Sequence, residues 1–180
     1  TSVHVLSVRN ECKELLFVVE READGREPSV RCINFGLDGM QSFSFTLEEE
    51  RSAVLVPAGQ VGTYLYEPNA SVLKAGAFKQ IAVRTGVKKL QVNSHLYTAD
   101  HLVSDFPGRR FRVDEVLSFT GKLCKGLSKT IPQANITVRN FPLSVEELRK
   151  RTKITDGGHV YLFATTLVDG EKVLVKCSKA

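Results

Sequence analysis

The chain has 180 residues, of which 42% are hydrophobic and 25% charged, and a formal net charge of +5. That length can bury a real core, and that composition excludes wholesale disorder and fibrous architectures. No run approaches the roughly 18 consecutive apolar residues that a membrane span needs, and no basic region followed by an apolar stretch opens the sequence.

Val3, Val5, Leu6 and Val8 read as a mostly buried strand, so the fold opens like a cut piece of something larger. Asn10 can cap a helix and Glu11 suits its first turn. Cys12, Leu15, Leu16 and Val19 then follow helical spacing, which predicts a helix over 10–19, although the β-branched end leaves a strand open. Residues 23–29 are a polar loop. Val30–Phe35 and Gln41–Leu47 predict an antiparallel hairpin about a turn at 36–39, with Phe43, Phe45 and Leu47 on one face. Glu48, Glu49 and Glu50 read as a solvated edge, with metal binding the lesser alternative.

Tyr64–Asn69 is extended, because Pro68 biases its predecessor away from helix. Asn69 caps a helix over 70–85 that Gly86 ends. Val87–His95 looks extended, and 97–101 and 105–108 are loops. Phe111–Leu117 is a strand and Gly121–Thr130 a helix, with Leu123, Leu127 and Ile131 inward and Lys122, Lys125 and Lys129 on another face. Ala134–Arg139 is a strand. Ser144 and Glu147 form a capping box that opens a helix through Lys153. His159–Leu167 and Lys172–Cys177 make a hairpin about Asp169-Gly170. The order β-α-β-α-β-β predicts a small two-layer α/β domain. The division expected is 1–62, 63–105 and 106–180.

Charge is uneven along the chain. Residues 1–104 carry 11 Lys/Arg against 12 Asp/Glu, whereas residues 105–180 carry 14 against 8. A basic module facing a polyanion accounts for this, and lysines that merely solvate the surface are the alternative. The candidate phosphate-contacting residues are Arg109, Arg110, Arg112, Lys122, Lys125, Lys129, Arg139, Arg149, Lys150, Arg151 and Lys153. Tyr161 and Phe141 could stack a base but fit a core better.

Catalytic constellations are scarce. No G-x-G-x-x-G, P-loop or G-x-S-x-G occurs. Ser94, His95, Asp100 and His101 are close in sequence, but a triad or a metal site that also used Asp105 needs convergence that spacing does not supply. Glu67 and Asn69 ahead of a helix, together with His95, form a possible cleft. No metal is expected. Cys12, Cys32, Cys124 and Cys177 form no C-x-x-C pair and fit reduced thiols in a cytoplasmic protein.

The segments 10–16, 64–76, 93–98 and 106–109 (NECKELL, YLYEPNASVLKAG, NSHLYT and FPGR) resemble the C-terminal portion of bacterial class I S-adenosylmethionine-dependent methyltransferases. The end, Val138–Ser144 through Asp156-Gly157-Gly158, resembles the THUMP-like domain that closes those proteins. The resemblance implies that 1–62 is the tail of a Rossmann-like catalytic domain. It implies further that the glycine-rich S-adenosylmethionine motif lies before Thr1, so that this chain holds no cofactor and is inactive alone. The partners implied are RNA and that catalytic domain in cis, with no membrane. RNA follows only by analogy with THUMP domains proper, whose enzymes modify RNA. A non-enzymatic protein-interaction module and a self-contained enzyme using Glu67 to His101 are the competing readings.

Overall fold

The computed structural model of the protein describes residues 1–21, 25, 27–37 and 39–180. They form two compact units, each assembled from separate stretches of chain: 1–56, 67–87 and 103–109 in the first, and 57–66, 88–102 and 110–180 in the second. The loop expected over 23–29 and the turn over 36–39 include positions outside the described residues.

In the first unit, β1 (Ser2–Val8), β2 (Glu11–Val18), β3 (Ser29–Gly36) and β4 (Gly39–Thr46) form a sheet of order β2-β1-β3-β4. Strands β1 and β3 run parallel, and the other pairs are antiparallel. The β3–β4 hairpin and the opening strand form as read, with Phe43 and Phe45 buried together, but of Val3, Val5, Leu6 and Val8 only Val5 is buried, and Leu47 is exposed beyond the end of β4.

The helix predicted over 10–19 is instead strand β2. Val8 pairs with Glu11, so Arg9-Asn10 is a two-residue hairpin turn. Both residues have positive φ, 50° and 63°, the conformation that a tight hairpin favours and that asparagine tolerates. Asn10 therefore signals a turn and not a helix cap. Phe17, Val18 and Val19 bring the β preference that outweighs the helical spacing upstream. Strand β2 lies at the sheet edge and is exposed along its whole length, with Phe17 at 68%.

Strand β4 runs directly into α1 (Leu47–Ser52), where Thr46 and Glu49 form a capping box. The three glutamates are therefore neither a bare edge nor a metal cluster. Glu49 accepts from the Thr46 N–H at 2.7 Å and pairs with Arg84 at 2.7 Å. β5 (Tyr64–Pro68) leads to Asn69, whose side chain caps α2 (Ala70–Ala75). The single helix expected over 70–85 is broken at Gly76, where a φ of 78° ends α2. α3 (Gln80–Thr85) then starts afresh, and the Glu50 carboxylate accepts from the Lys79 and Gln80 N–H groups at 2.9 and 2.8 Å. α2 packs on β1, β2 and β3.

In the second unit, β6 (Lys88–Lys89) and β7 (Tyr97–Ala99) precede the run β8 (Gly108–Ser118), α4 (Gly121–Thr130), β9 (Asn135–Arg139), α5 (Val145–Thr152), β10 (Tyr161–Thr166) and β11 (Lys172–Lys179). From β8 onward this is the predicted β-α-β-α-β-β order. The expected loop at 97–101 contains a strand, β7. The sheet order is β6-β7-β5-β8-β11-β10-β9.

Strand alternation places Leu162, Ala164 and Leu174 on the side of α4 and α5, where they pack with Leu127, Leu148 and Ile154. Phe163, Val175 and Cys177 face the other way and pack with Phe111, Leu65, Leu90 and Leu96. β10 and β11 are thus covered on both faces, which is why they read as near-continuous apolar runs. Tyr161 lies 4.9 Å from the Phe111 ring and Phe141 5.0 Å from the Phe119 ring; both belong to the core.

Gly108 is set by close approach. A Cβ there would overlap the Glu67 carbonyl oxygen and lie 2.8 Å from the Pro68 Cα, and backbone cannot yield cheaply. Gly108→Ala is expected to destabilise the chain by roughly 2–3 kcal/mol, the cost of overpacking. Urea unfolding of the variant beside the parent checks this, and an unchanged midpoint would refute it.

Candidate nucleic-acid interface

The predicted site residues fall into three groups. The first centres on Glu67, which is 2% exposed although ionisable. A buried carboxylate needs a partner. Arg109 supplies one, donating to Glu67 Oε2 from Nε at 2.9 Å and also from Nη2. The Arg109 guanidinium, read from the sequence as a phosphate contact, is half-exposed and engaged with this carboxylate.

Asn69 is also buried. Its Oδ1 accepts from Ser71 Oγ at 2.7 Å and from the Val72 N–H at 3.2 Å, and its Nδ2 donates to Gln41 Oε1 at 3.0 Å. Gln41 Nε2 donates in turn to the Gly108 carbonyl at 3.1 Å. Asn34 Oδ1 accepts from Ser7 Oγ at 2.7 Å and from the Asn10 N–H at 3.1 Å, while Asn10 Oδ1 accepts from the Ala70 N–H at 2.7 Å. This network joins the carboxyl ends of parallel β1 and β3 to the start of α2. Glu67 and Asn69 lie in the first unit and His95 in the second.

The second group is the basic surface of α4 and α5. Thr120 accepts from the Leu123 N–H and fixes the start of α4. Cys124 and Leu127 then face inward, leaving Lys122, Lys125 and Lys129 exposed. The Ser144–Glu147 capping box does the same for α5, leaving Lys150 and Arg151 exposed and Lys153 exposed at its left-handed C-cap. Arg149 is half-buried and pairs with Asp156. Arg112 is exposed on β8, and Arg110 is partly so.

The third group surrounds His95, which has a φ of 51°. Lys89 is only 3% exposed. Its ammonium donates to the Val92 carbonyl at 2.7 Å and lies 3.3 Å from His95 Nδ1 and 5.8 Å from the Tyr97 ring centroid. Burial first, then the charges of Lys89 and Arg139, lower the His95 pKa from 6.5 to about 4. Sequence reasoning missed Lys89; its only signal was a charge between apolar Val87 and Leu90. It also missed Asn34 and Gln41, whose roles rest wholly on long-range partners.

The four cysteines are free thiols, and burial pushes Cys32 and Cys177 up to about 12. Among the described residues, no group of three or more His, Cys, Asp or Glu could hold a metal, and no helix is long and apolar enough to cross a membrane.

Two variants test this geometry. Arg109→Leu takes the guanidinium away from the buried Glu67 carboxylate and is expected to cost about 2–3 kcal/mol, below a fully buried pair because the guanidinium is half in water. Adding Glu67→Gln should recover part of that loss in urea unfolding. The depressed His95 pKa means that the unfolded chain binds more protons between pH 6.5 and about 4. Stability should therefore fall as pH drops through that window. His95→Asn, which keeps a residue tolerant of positive φ, should lose less stability between pH 7 and 4.5 than the parent. Equal losses would contradict the assignment.

Comparison with known proteins adds the following. Residues 108–179 match the model of a THUMP domain-like family, and residues 64–107 match that of a ferredoxin-like domain. The crystal structure of a "putative methyltransferase from Porphyromonas gingivalis W83" superposes with a TM-score of 0.91 at 43% identity. The match covers 99% of this chain and 45% of that one, so this chain spans less than half the length of that protein. No curated protein matches the sequence.

Proposed function

We propose that this chain is the substrate-recognition part of an S-adenosylmethionine-dependent methyltransferase, presenting RNA to a catalytic domain that precedes it in a longer polypeptide. The observation that carries the reading is the exposed basic surface of α4 and α5 within the THUMP domain-like region. The longer relative at 43% identity supports the methyltransferase assignment. The exposed apolar strand β2 supports a further layer of protein against the first unit.

Adenosylmethionine is assigned to the longer protein because the residues present do not fit it. A doubly wound cofactor site uses a glycine turn from a strand into a helix. Here β1 turns at Arg9-Asn10 straight back into antiparallel β2. No turnover is therefore expected from this chain alone.

The contribution of the chain is positioning. Lysines held on a rigid helix take the RNA phosphates, which fixes the acceptor nucleotide and lowers the entropic cost of the reaction carried out elsewhere.

Replacing Lys122, Lys125 and Lys129 together by Ala tests this. If each neutralises one phosphate of a single strand, the slope of log K against log salt should flatten by about 2. Affinity for a structured-RNA pool should fall while the fold is retained by circular dichroism. Unchanged binding and slope would reject the α4 surface and favour the reading as a protein-interaction module.

A further inference from the structure

The two edges of the four-stranded sheet in the first unit are finished differently. At β4 the residues between the buried phenylalanines are polar, Ser42 and Ser44, and Arg84 Nη1 donates to the Ser44 carbonyl. At β2 only the half beside the turn is guarded, by Glu11, Lys13 and Glu14 and by a break in register opposite Leu6 and Ser7. Residues 15–18 carry no charge, no proline and no bulge, the devices that normally blunt an edge strand.

That unguarded half is apolar on both faces. Register with β1 places Leu15 and Phe17 on the face of buried Val5, and Leu16 and Val18 on the other face, opposite His4 and Ser2. All four are exposed, Leu15 by 51%. A strand apolar on both faces has the pattern of a sheet interior and not of an edge.

The sheet face away from Val5 is apolar beyond β2 as well. Val8, Phe35 and Met40 stand side by side across β1, β3 and β4, and all three are exposed, Met40 by 63%. Met40 lies three strand spacings from β2, about 14 Å. An added strand would satisfy the edge, but a face of that width needs a packed layer too. Edge-to-edge pairing of two copies of this chain would satisfy β2 and leave both such faces in water. More than half of the methyltransferase relative lies outside its match to this chain, which is length enough for a domain.

We propose that β2 is an internal strand of a longer sheet. A strand from the remaining part of the longer polypeptide pairs along its free edge, and apolar side chains of that same part cover Leu16, Val18 and the row of Val8, Phe35 and Met40. This rests on the longer polypeptide of the function proposed above, and not on its RNA or its methyl transfer.

Amide hydrogen exchange over residues 11–18 tests the proposal, measured in this chain and in the longer polypeptide that carries it. Every second N–H of an edge strand points away from its neighbour and exchanges readily. Those amides should exchange at least about tenfold more slowly in the longer polypeptide, at every protein concentration. Phe17→Lys puts a charge on a side chain that is 68% exposed. It should leave the urea midpoint of this chain unchanged and remove most of the protection in the longer polypeptide.

Equal exchange in the two chains, or protection that Phe17→Lys leaves intact, would overturn the proposal. Protection lost on dilution, with a dimer in sedimentation velocity, would make a second copy the occupant and overturn it too. RNA binding with β2 unprotected faults only this proposal, and a protected β2 without RNA binding faults only the RNA reading.

Discussion

The first unit is built around one buried charge. Glu67 is almost wholly removed from water, and the Arg109 guanidinium compensates its carboxylate. That pairing draws residues 103–109 against 67–87, and Gly108 is the residue that lets the two backbones meet. Gln41 then carries the same connection into the strands, bonding both Asn69 and the Gly108 carbonyl. All three stretches of the unit are tied by polar contacts of fixed geometry. Apolar packing alone would hold them together without setting their register. Buried polar networks of this kind specify one arrangement because each misplacement leaves a group unsatisfied.

The second unit is organised differently. Its sheet has two apolar faces, one under α4 and α5 and the other under Leu65, Leu90 and Leu96. Its polar features therefore gather at the outer surface of the helices and around the His95 cluster. The basic side chains of α4 and α5 stand on helices whose starts are fixed by caps, which holds their charges at set positions along each helix.

Much of the second unit was legible because its signals are local. Thr120 and the Ser144–Glu147 box mark helix starts by chemistry that acts within four residues, and the paired apolar runs of β10 and β11 mark doubly covered strands. The exposed lysines of α4 followed from spacing alone. Residues 10–19 misled because helical spacing and a capping residue coincided with a β-rich end, and the Arg9-Asn10 turn shares its asparagine with both readings. Gly76 was passed over because apolar spacing continued beyond it, although its left-handed backbone ends α2. Helix α1 was missed even though Thr46 and Glu49 carry the same box that revealed α5. The pairing of Glu67 with Arg109 was not legible, because it joins residues 42 positions apart in the chain.

The interleaving of the two units constrains the order in which they can form. The first unit needs residues up to 109, while the second begins at 57 and closes only with β11. During synthesis β1 to β4 can pair early, but Glu67 stays without its guanidinium until more than forty further residues have been made. Until then Glu67 is compensated by water, and its burial has to await the segment that brings Arg109.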